Sequence, residues 1–297
     1  MKWLLNLLAS VPARLGYALS KLAFVLVFYV FRYRRDTVRE NLAYAFPAMQ
    51  PQDRAALEKN FYRHFCDLFI EILRTTRMPA EELTERVSFA NEAVLREATR
   101  NYTQQAIILC VHQGNWEWML HSAKLALPVA IAPVYKTLHS PFWDDFMLKA
   151  RSRFGARPMN MENVAREVIR GRRERRLIVV VADQSGPKFG GYWTDFLNRP
   201  ASFYRGAAKL AKTLKLPVIF AQCLRQSQGR YEIRFHPVSL PPHSSDSEAI
   251  LESYVRIAEA VITEQPETYL WTNRRWKKTP PTNIADAPRD EDRTQHP

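Results

Sequence analysis

The hydrophobic pattern changes along the chain, and the change predicts where the folded body lies. From Ala106 onward, short apolar runs of strand length alternate with segments in which apolar residues recur at helical spacing. This alternation is typical of an α/β domain with a parallel sheet. We therefore predict an α/β fold with a central, mostly parallel sheet flanked by helices. The predicted strands are Ala106–Val111, Val129–Tyr135, Leu177–Ala182, Pro217–Cys223 and Tyr231–Phe235.

Helical spacing predicts the elements around these strands. In residues 51–75, apolar residues such as Leu57, Phe61 and Phe65 recur on one face. A shorter helix is expected over residues 36–47, where Pro47 stops it. Further helices are predicted over Asn115–Leu125, Trp143–Phe154, Asn163–Arg172, Ser202–Leu214 and Ser247–Glu264.

The amino terminus has a different pattern. Trp3–Phe31 is almost entirely apolar, but its uninterrupted core, Leu22–Phe31, is ten residues long, and a helix that crosses a bilayer needs about twenty. The polar residues fall on one helical stripe, which predicts a helix that lies in a membrane surface and keeps this stripe in water. The stripe comprises Asn6, Ser10, Arg14, Tyr17 and Lys21.

Residues 1–35 are therefore predicted to be a membrane-anchoring segment. Arg32, Arg34 and Arg35 follow the apolar run, where they could meet anionic lipid headgroups and would favour a cytoplasmic catalytic body. A buried core helix and a cleaved secretory signal are the alternatives, although no small-residue cleavage site follows. We expect one body over residues 36–280 and a loose polar tail over residues 281–297.

Composition narrows the class of protein. The 43 Lys and Arg residues exceed the 30 Asp and Glu residues, which gives a net charge of +13. Such a chain is attracted to nucleic acid, anionic lipid or acidic proteins, and charge alone does not choose among them. The three cysteines lack the spacing of a disulfide framework or a zinc site, and no metal site is predicted.

One stretch carries candidate chemistry. His112 follows a predicted apolar strand, and Glu117 lies in the first turn of the next predicted helix. Ligand sites in α/β sheets form at the carboxyl ends of strands. If the carboxylate of Glu117 folds back onto the imidazole, the other ring nitrogen can act as a general base. The alternative is a turn-capping histidine and a glutamate that is stabilised by the helix dipole.

A thiol mechanism is the covalent rival. Cys110 precedes His112 by two residues, so both would point to the same side of an extended strand. Cys110 ends an apolar run, however, and is better interpreted as a buried small hydrophobic residue. The sequence contains no G-x-S-x-G, P-loop or dinucleotide-binding motif.

Five motifs in order resemble the secondary acyltransferases of lipid A biosynthesis. The segment His112–Glu117 is similar to the family's H-x-x-x-x-D/E signature, and residues 37–47 are similar to its V-x-x-N-L-x-x-x-F-P element. The other three similar elements are Tyr135-Lys136 with Arg151-Ser-Arg153, Ala182-Asp183-Gln184, and residues 271–277. The likeness covers nearly the whole chain.

The resemblance implies a membrane-bound O-acyltransferase with a glycerolipid-acyltransferase-like fold. It would move an acyl chain from an acyl carrier protein thioester directly to a hydroxyl of a lipid A precursor, at the cytoplasmic face of the inner membrane, without a cofactor. His112 would be the base, and Glu117 would assist it. The implied substrate-binding residues are Asn115, Lys136, Arg151, Arg153, Asp183, Gln184, Arg274 and Arg275. Expected partners are the carrier protein, a membrane glycolipid and anionic lipids, but not nucleic acid.

Two departures from the family pattern keep other acceptors open. Lys136 stands where arginine is usual, and Asn273 stands where histidine is usual. Lysine cannot form the bidentate fork of arginine, so a phosphate contact there would be looser. The same chemistry could then act on a lysophospholipid, an ornithine-type lipid or another glycolipid. A non-catalytic basic membrane protein is a third hypothesis, but it gives no reason for the strand-end His112.

Overall fold

The computed structural model describes residues 9–246 and 248–281 of the chain. The first polar residue of the amino-terminal stripe, Asn6, and nearly all of the predicted tail lie outside these residues. In chain order the helices are α1 (Ala13–Val25, continued by a π-helical turn Leu26–Val30), α2 (Arg35–Ala45), α3 (Pro51–Thr75), α4 (Ala80–Arg86), α5 (Glu92–Ala98), α6 (Trp116–Ala126), α7 (Pro141–Ser152), α8 (Val164–Arg170), α9 (Gly206–Leu214) and α10 (Ala249–Glu264).

The strands form a seven-stranded sheet and a separate hairpin. The sheet comprises β1 (Val87–Phe89), β2 (Ala106–Cys110), β3 (Ala130–Tyr135), β4 (Met159–Asn160), β5 (Arg176–Val181), β8 (Val218–Ser227) and β9 (Arg230–Ser239), in the order β1-β9-β8-β2-β5-β3-β4. Every neighbouring pair is parallel except β8 and β9. The hairpin pairs β6 (Tyr192–Phe196) with β7 (Arg199–Phe203). The predicted α/β class with a mostly parallel sheet is confirmed.

All five predicted strands are present. The differences between the predicted and observed elements have local causes. Strands β1 and β4 have three and two residues, too few for an alternating pattern to show. The predicted helix over Ser202–Leu214 starts only at Gly206, because Ser202 and Phe203 pair in the β6–β7 hairpin. The long helix over residues 51–75 has the predicted bounds.

The buried side chains form one apolar cluster on each face of the sheet. Residues of β2 alternate between the two clusters: Ile107 and Leu109 belong to one, and Ile108 and Cys110 belong to the other. Because both faces are covered, all five positions of β2 are buried, as expected for a central parallel strand. The strand ends, and not the strand faces, therefore remain available for chemistry.

Helix α1 is packed on one side and bare on the other. Its segment Ala13–Val30 is long and apolar enough to cross a membrane by length and composition. The exposed apolar side chains on this segment and beside it are Leu15, Leu22, Val25, Leu26, Tyr29, Val30, Phe31 and Phe69. We call this set the apolar face. It is a larger contiguous set of exposed apolar groups than the scattered ones that are normal for a soluble surface.

The prediction that the polar stripe of α1 faces water is only partly correct. Arg14 and Lys21 are exposed, but Tyr17 turns inward and donates to Glu71 of α3 at 3.0 Å. Next to it, the buried Ser20 donates to Asp67 at 2.5 Å. The reason is that the buried carboxylates of Asp67 and Glu71 on α3 need donors, and α1 supplies them. Tyr17 and Ser20 thus bind α1 to α3, while the apolar face points away from the protein.

Candidate active site

The candidate active site lies where two neighbouring parallel strands end. Strands β2 and β5 pair in parallel, with Cys110 opposite Val181. The ladder continues beyond the strands, since the Ala182 N–H donates to the Cys110 carbonyl at 2.9 Å. His112 and Asp183 each stand two residues past that pair. The register therefore brings the two side chains to the same point of the sheet edge.

Asp183 holds the imidazole of His112 in one orientation. Nδ1 of His112 lies 2.7 Å from Oδ1 of Asp183, and the backbone N–H of His112 donates to Oδ2 at 3.2 Å. With Nδ1–H as the donor to the carboxylate, Nε2 carries a lone pair and can accept a proton. The His112 side chain is 14% exposed and that of Asp183 is 1% exposed, so substrate can reach the imidazole but not the aspartate.

The charge of Asp183 is stabilised despite its burial. Burial alone would raise the pKa of this carboxyl group, but the nearby His112 and Arg275 lower the pKa below its usual value. The aspartate is therefore ionised at neutral pH. A buried carboxylate on Nδ1 stabilises the imidazolium that forms when Nε2 accepts a proton.

Glu117 does not make the contact that we predicted from its spacing. Both of its carboxylate oxygens accept from Arg151: Nε lies 3.1 Å from each oxygen, and Nη2 lies 2.6 Å from Oε1. Burial would raise the pKa of Glu117, but Arg151 outweighs this effect and lowers the pKa. The first-turn position of α6 faces α7, which carries Arg151. The orienting contact on His112 is thus made by Asp183, and the prediction for Glu117 is corrected.

The side chains of Arg151 and Arg153 contact different partners, although the two residues are only two positions apart. Arg151 is tied to Glu117, and its Nη1 group is not used in that pairing. Arg153 instead donates to the Thr75 carbonyl at the end of α3, and its guanidinium carbon lies 4.7 Å from the centre of the Phe154 ring. Of this pair, only Arg151 contacts Glu117, in the first turn of the helix that follows the His112 loop.

Asn115 is a structural cap. It is completely buried, its Oδ1 accepts from the Trp118 N–H at 2.9 Å, and its Nδ2 donates to Glu71 at 2.8 Å. Both side-chain atoms are occupied at the start of α6. The substrate contact implied for Asn115 therefore has no free side-chain atom to make it.

The remaining predicted residues occupy different environments. Lys136 and Gln184 are exposed on the loops after β3 and β5, at the same edge of the sheet as His112. Arg274 is exposed, whereas Arg275 is buried and donates to the Ser202 carbonyl at 2.9 Å. The buried Arg275 is therefore not accessible for the substrate contact that the resemblance implies. Its charge acts inward and contributes to lowering the pKa of Asp183.

Sequence reasoning missed an aromatic neighbour of the base. The Trp116 ring stands edge-on to His112, with ring centres 4.9 Å apart. Trp116 is the first residue of α6, so the start of this helix lies beside the imidazole. The one available signal was the strand–turn–helix pattern, which places the first helical residue close to the strand exit.

The amino-terminal and carboxy-terminal motifs meet behind the base. Asn41 donates to the carbonyls of Trp271 and Asn273 at 2.8 and 3.0 Å. Leu270 in turn donates its N–H to the His112 carbonyl at 2.9 Å, and Gln113 forms a β-bridge with Tyr269. The loop that carries the base is thus held by residues from both ends of the chain.

The thiol rival has little support from the geometry. Cys110 is 1% exposed, and burial raises the pKa of its thiol well above the usual value. A thiol that stays protonated and enclosed is a poor nucleophile. Within residues 9–246 and 248–281, no cluster of three or more His, Cys, Asp or Glu side chains could hold a metal ion.

The structure is thus that of an α/β protein with a mostly parallel sheet and a histidine–aspartate pair at the carboxyl edge of that sheet. The description "bacterial lipid A biosynthesis acyltransferase" belongs to a family model that matches residues 2–278, and the chain belongs to that family. The resemblance found in the five motifs is thereby confirmed, and the protein is an acyltransferase of lipid A biosynthesis. Comparison with individually curated proteins gives no match.

Proposed function

We propose that this protein transfers a fatty acyl chain from an acyl carrier protein thioester to a hydroxyl group of a lipid A precursor. The observation that carries the proposal is the His112–Asp183 pair, which leaves Nε2 of the partly exposed imidazole free to accept a proton at the sheet edge. Nε2 removes the proton of the acceptor hydroxyl as its oxygen attacks the thioester carbonyl. The C–S bond then breaks, and the imidazolium returns the proton to the thiolate of the donor, so that no acyl-enzyme forms.

Asp183 and Arg151 have separate tasks in this scheme. Asp183 fixes the tautomer of His112 and stabilises the imidazolium. Arg151 keeps its Nη1 donors for an anionic oxygen, either the developing oxyanion or a phosphate group of the acceptor. Glu117 keeps the guanidinium in place, since both of its oxygens engage the Arg151 side chain. Lys136 and Gln184, at the same edge, are available to contact substrate.

The apolar face of α1 supports a location of the reaction at the membrane. This face would enter the membrane, and the Arg32 and Arg34 side chains beside it are exposed to anionic headgroups. Helix α1 packs on α3, and α3 contacts the loop of the base through His64, whose Nε2 lies 3.1 Å from the Gly114 carbonyl. The site would thereby be held close to its lipid acceptor, at the cytoplasmic face of the inner membrane.

One experiment identifies the acceptor lipid and tests whether His112 is the base. Lipid A and the other membrane lipids are analysed by mass spectrometry in cells with and without the gene. We expect a lipid A species that lacks one acyl chain in the deletion strain, restored by the wild type but not by His112→Ala. If lipid A is unchanged and another lipid loses an acyl chain, the acceptor is that lipid, as the departures at Lys136 and Asn273 allow. If His112→Ala restores the lipid fully, the proposed base is wrong.

The donor is tested with purified full-length protein. Acyl carrier protein thioester and coenzyme A thioester of the same chain are offered at equal concentration with the acceptor in lipid nanodiscs. The proposal expects turnover with the carrier protein and much less with coenzyme A. Equal turnover with both donors would refute the carrier protein as the specific partner.

A further inference from the structure

A polar cavity lies against α1, apart from the candidate active site. It encloses about 470 Å³ and opens between α1, α3 and the β8–β9 hairpin. Lys21, Arg63, Arg225 and Glu267 are among its lining residues, whereas His112, Asp183, Glu117 and Arg151 are not. The volume falls within the range of about 300–1,000 Å³ that is usual for small-molecule sites.

At the floor of the cavity, the charged side chains pair with each other. Asp67 is buried and accepts from Ser20 at 2.5 Å, from Arg225 at 2.6 Å and from Gln228 at 2.9 Å. The charges of Asp67 and Arg225 therefore cancel, and the hydrogen-bonding capacity of the carboxylate is largely filled. A ligand would meet a neutral, pre-formed floor.

The rim of the cavity carries charged side chains of both signs that form no ion pairs within the described residues. Lys21 and Arg63 are exposed, and Glu267 is half-buried. Among the described residues, neither Lys21 nor Glu267 has an ion-pair partner. Arg63 makes only a 2.8 Å bond to its helix neighbour Asn60 and a cation–π contact, with its guanidinium carbon 5.3 Å from the centre of the Phe24 ring. Two cations and one carboxylate thus face a single cavity without neutralising partners.

The rim also borders the apolar face. Lys21 is followed on α1 by Leu22, which is 57% exposed, and by Val25, which is 46% exposed. Phe24 lies between them in sequence and lines the cavity. A molecule bound here would have its polar end in the cavity and a direct path for apolar chains along α1. That arrangement suits an amphiphile better than a free metabolite.

We propose that this cavity binds the phosphoethanolamine headgroup of a membrane glycerophospholipid. Lys21 and Arg63 hold the phosphate, Glu267 pairs with the ammonium group, and the acyl chains follow Phe24 onto the apolar face. Two cations suit a phosphate, and a separate carboxylate suits a headgroup that also carries a positive charge. A phosphatidylglycerol headgroup offers Glu267 no such partner. The inference rests on the membrane contact of α1 proposed above and does not depend on the acyl-transfer chemistry.

The test measures which lipid stays bound to the full-length protein. Wild-type protein is placed in nanodiscs of equimolar phosphatidylethanolamine and phosphatidylglycerol, extracted into mild detergent, and analysed by native mass spectrometry. We expect retention of phosphatidylethanolamine in preference to phosphatidylglycerol. Lys21→Gln with Arg63→Gln should lower retention of both lipids about a hundredfold, because two charge-assisted contacts are lost and each is worth about tenfold. Glu267→Gln should keep lipid binding but abolish the preference for phosphatidylethanolamine.

The controls separate this site from general attraction to membranes. Arg14→Gln and Lys59→Gln remove exposed cations of α1 and α3 that do not line the cavity, and they should leave the lipid preference unchanged. Soluble phosphoethanolamine should compete with the retained lipid more strongly than inorganic phosphate does. Equal competition by the two would show a simple anion site and overturn the proposal, as would a wild-type preference for phosphatidylglycerol. Sedimentation with vesicles of the same composition is measured in parallel, so loss of membrane contact is seen separately from loss of headgroup selectivity.

Discussion

His112 pairs with Asp183 at 2.7 Å, although 71 residues separate them in the chain. Glu117, five positions from His112, is engaged by Arg151 instead. The carboxylate that orients the base is therefore the one that the sheet register supplies. Because Asp183 and Glu117 bind different partners, substitutions can test the role of each carboxylate separately.

Asp183→Asn should lower turnover by roughly 10²–10⁴-fold, the usual contribution of a general base. The amide keeps the shape of the side chain but cannot stabilise the imidazolium, and it can hold the wrong tautomer. The measurement is kcat with saturating donor and acceptor in nanodiscs. Asp195→Asn, an exposed aspartate in β6, is the matched control and should retain wild-type turnover. Wild-type turnover in Asp183→Asn would exclude the proposed role.

Arg151→Met should destabilise the fold by about 3–5 kcal/mol, because it leaves the buried Glu117 carboxylate without its cation. Adding Glu117→Gln should recover part of that loss, since the uncompensated charge is then gone. The free energy of unfolding is measured by chemical denaturation in detergent. Arg157→Met is the control, because it removes the side chain of an exposed arginine after α7. A double variant that is less stable than Arg151→Met would contradict the pairing.

Tyr17→Phe should loosen α1 from the body. The phenol donates to Glu71, which is fully buried and also accepts from Tyr231 at 2.7 Å and from Asn115 at 2.8 Å. Losing one donor leaves a buried carboxylate less satisfied, at a cost of about 1–3 kcal/mol. Limited proteolysis after α1 should become faster. Tyr29→Phe removes the hydroxyl of an exposed tyrosine on the same segment and should change nothing.

Stability should fall as the pH drops from about 6.5 toward 4. Burial lowers the pKa of His64 to about 3 and that of His121 to about 4. The unfolded chain therefore binds these protons at a higher pH than the folded chain, so acid favours unfolding. Each histidine adds a slope of about 1.4 kcal/mol per pH unit within that window.

The variant His121→Phe tests the sign of this effect. His121 packs edge-on against Phe154, with ring centres 5.3 Å apart, so a phenyl ring suits the site. The slope of unfolding free energy against pH between 4 and 6.5 should become shallower than in the wild type. An unchanged slope would show that His121 does not titrate on unfolding in this range.

Cys110→Ala should keep turnover near the wild-type level, because the buried thiol takes no part in direct transfer. Burial raises the pKa of that thiol, which disfavours the thiolate needed for a covalent step. The reaction is quenched early and the protein mass is measured for an added acyl group. A loss of turnover comparable to that of His112→Ala, together with an acylated wild-type protein, would revive the covalent mechanism.

Much of the fold could be read from local patterns. The bounds of α3 and the positions of the five longer strands follow from apolar periodicity, which reports the face that each element buries. The shortest strands, β1 and β4, could not be read, because two or three residues do not establish a period. The inward turn of Tyr17 was also hidden, since the sequence does not reveal that Glu71 lies under α1.

The sequence by itself determined the fold class, the family and the two strand exits at which His112 and Asp183 stand. Those features depend on residue order along a few neighbouring positions, where spacing dictates structure. Only the tertiary structure decided that β5 lies beside β2, and with it that Asp183 and not Glu117 meets the imidazole. Strand order and register arise from contacts between distant segments, and the buried partner of a charged side chain is chosen by what packs against it.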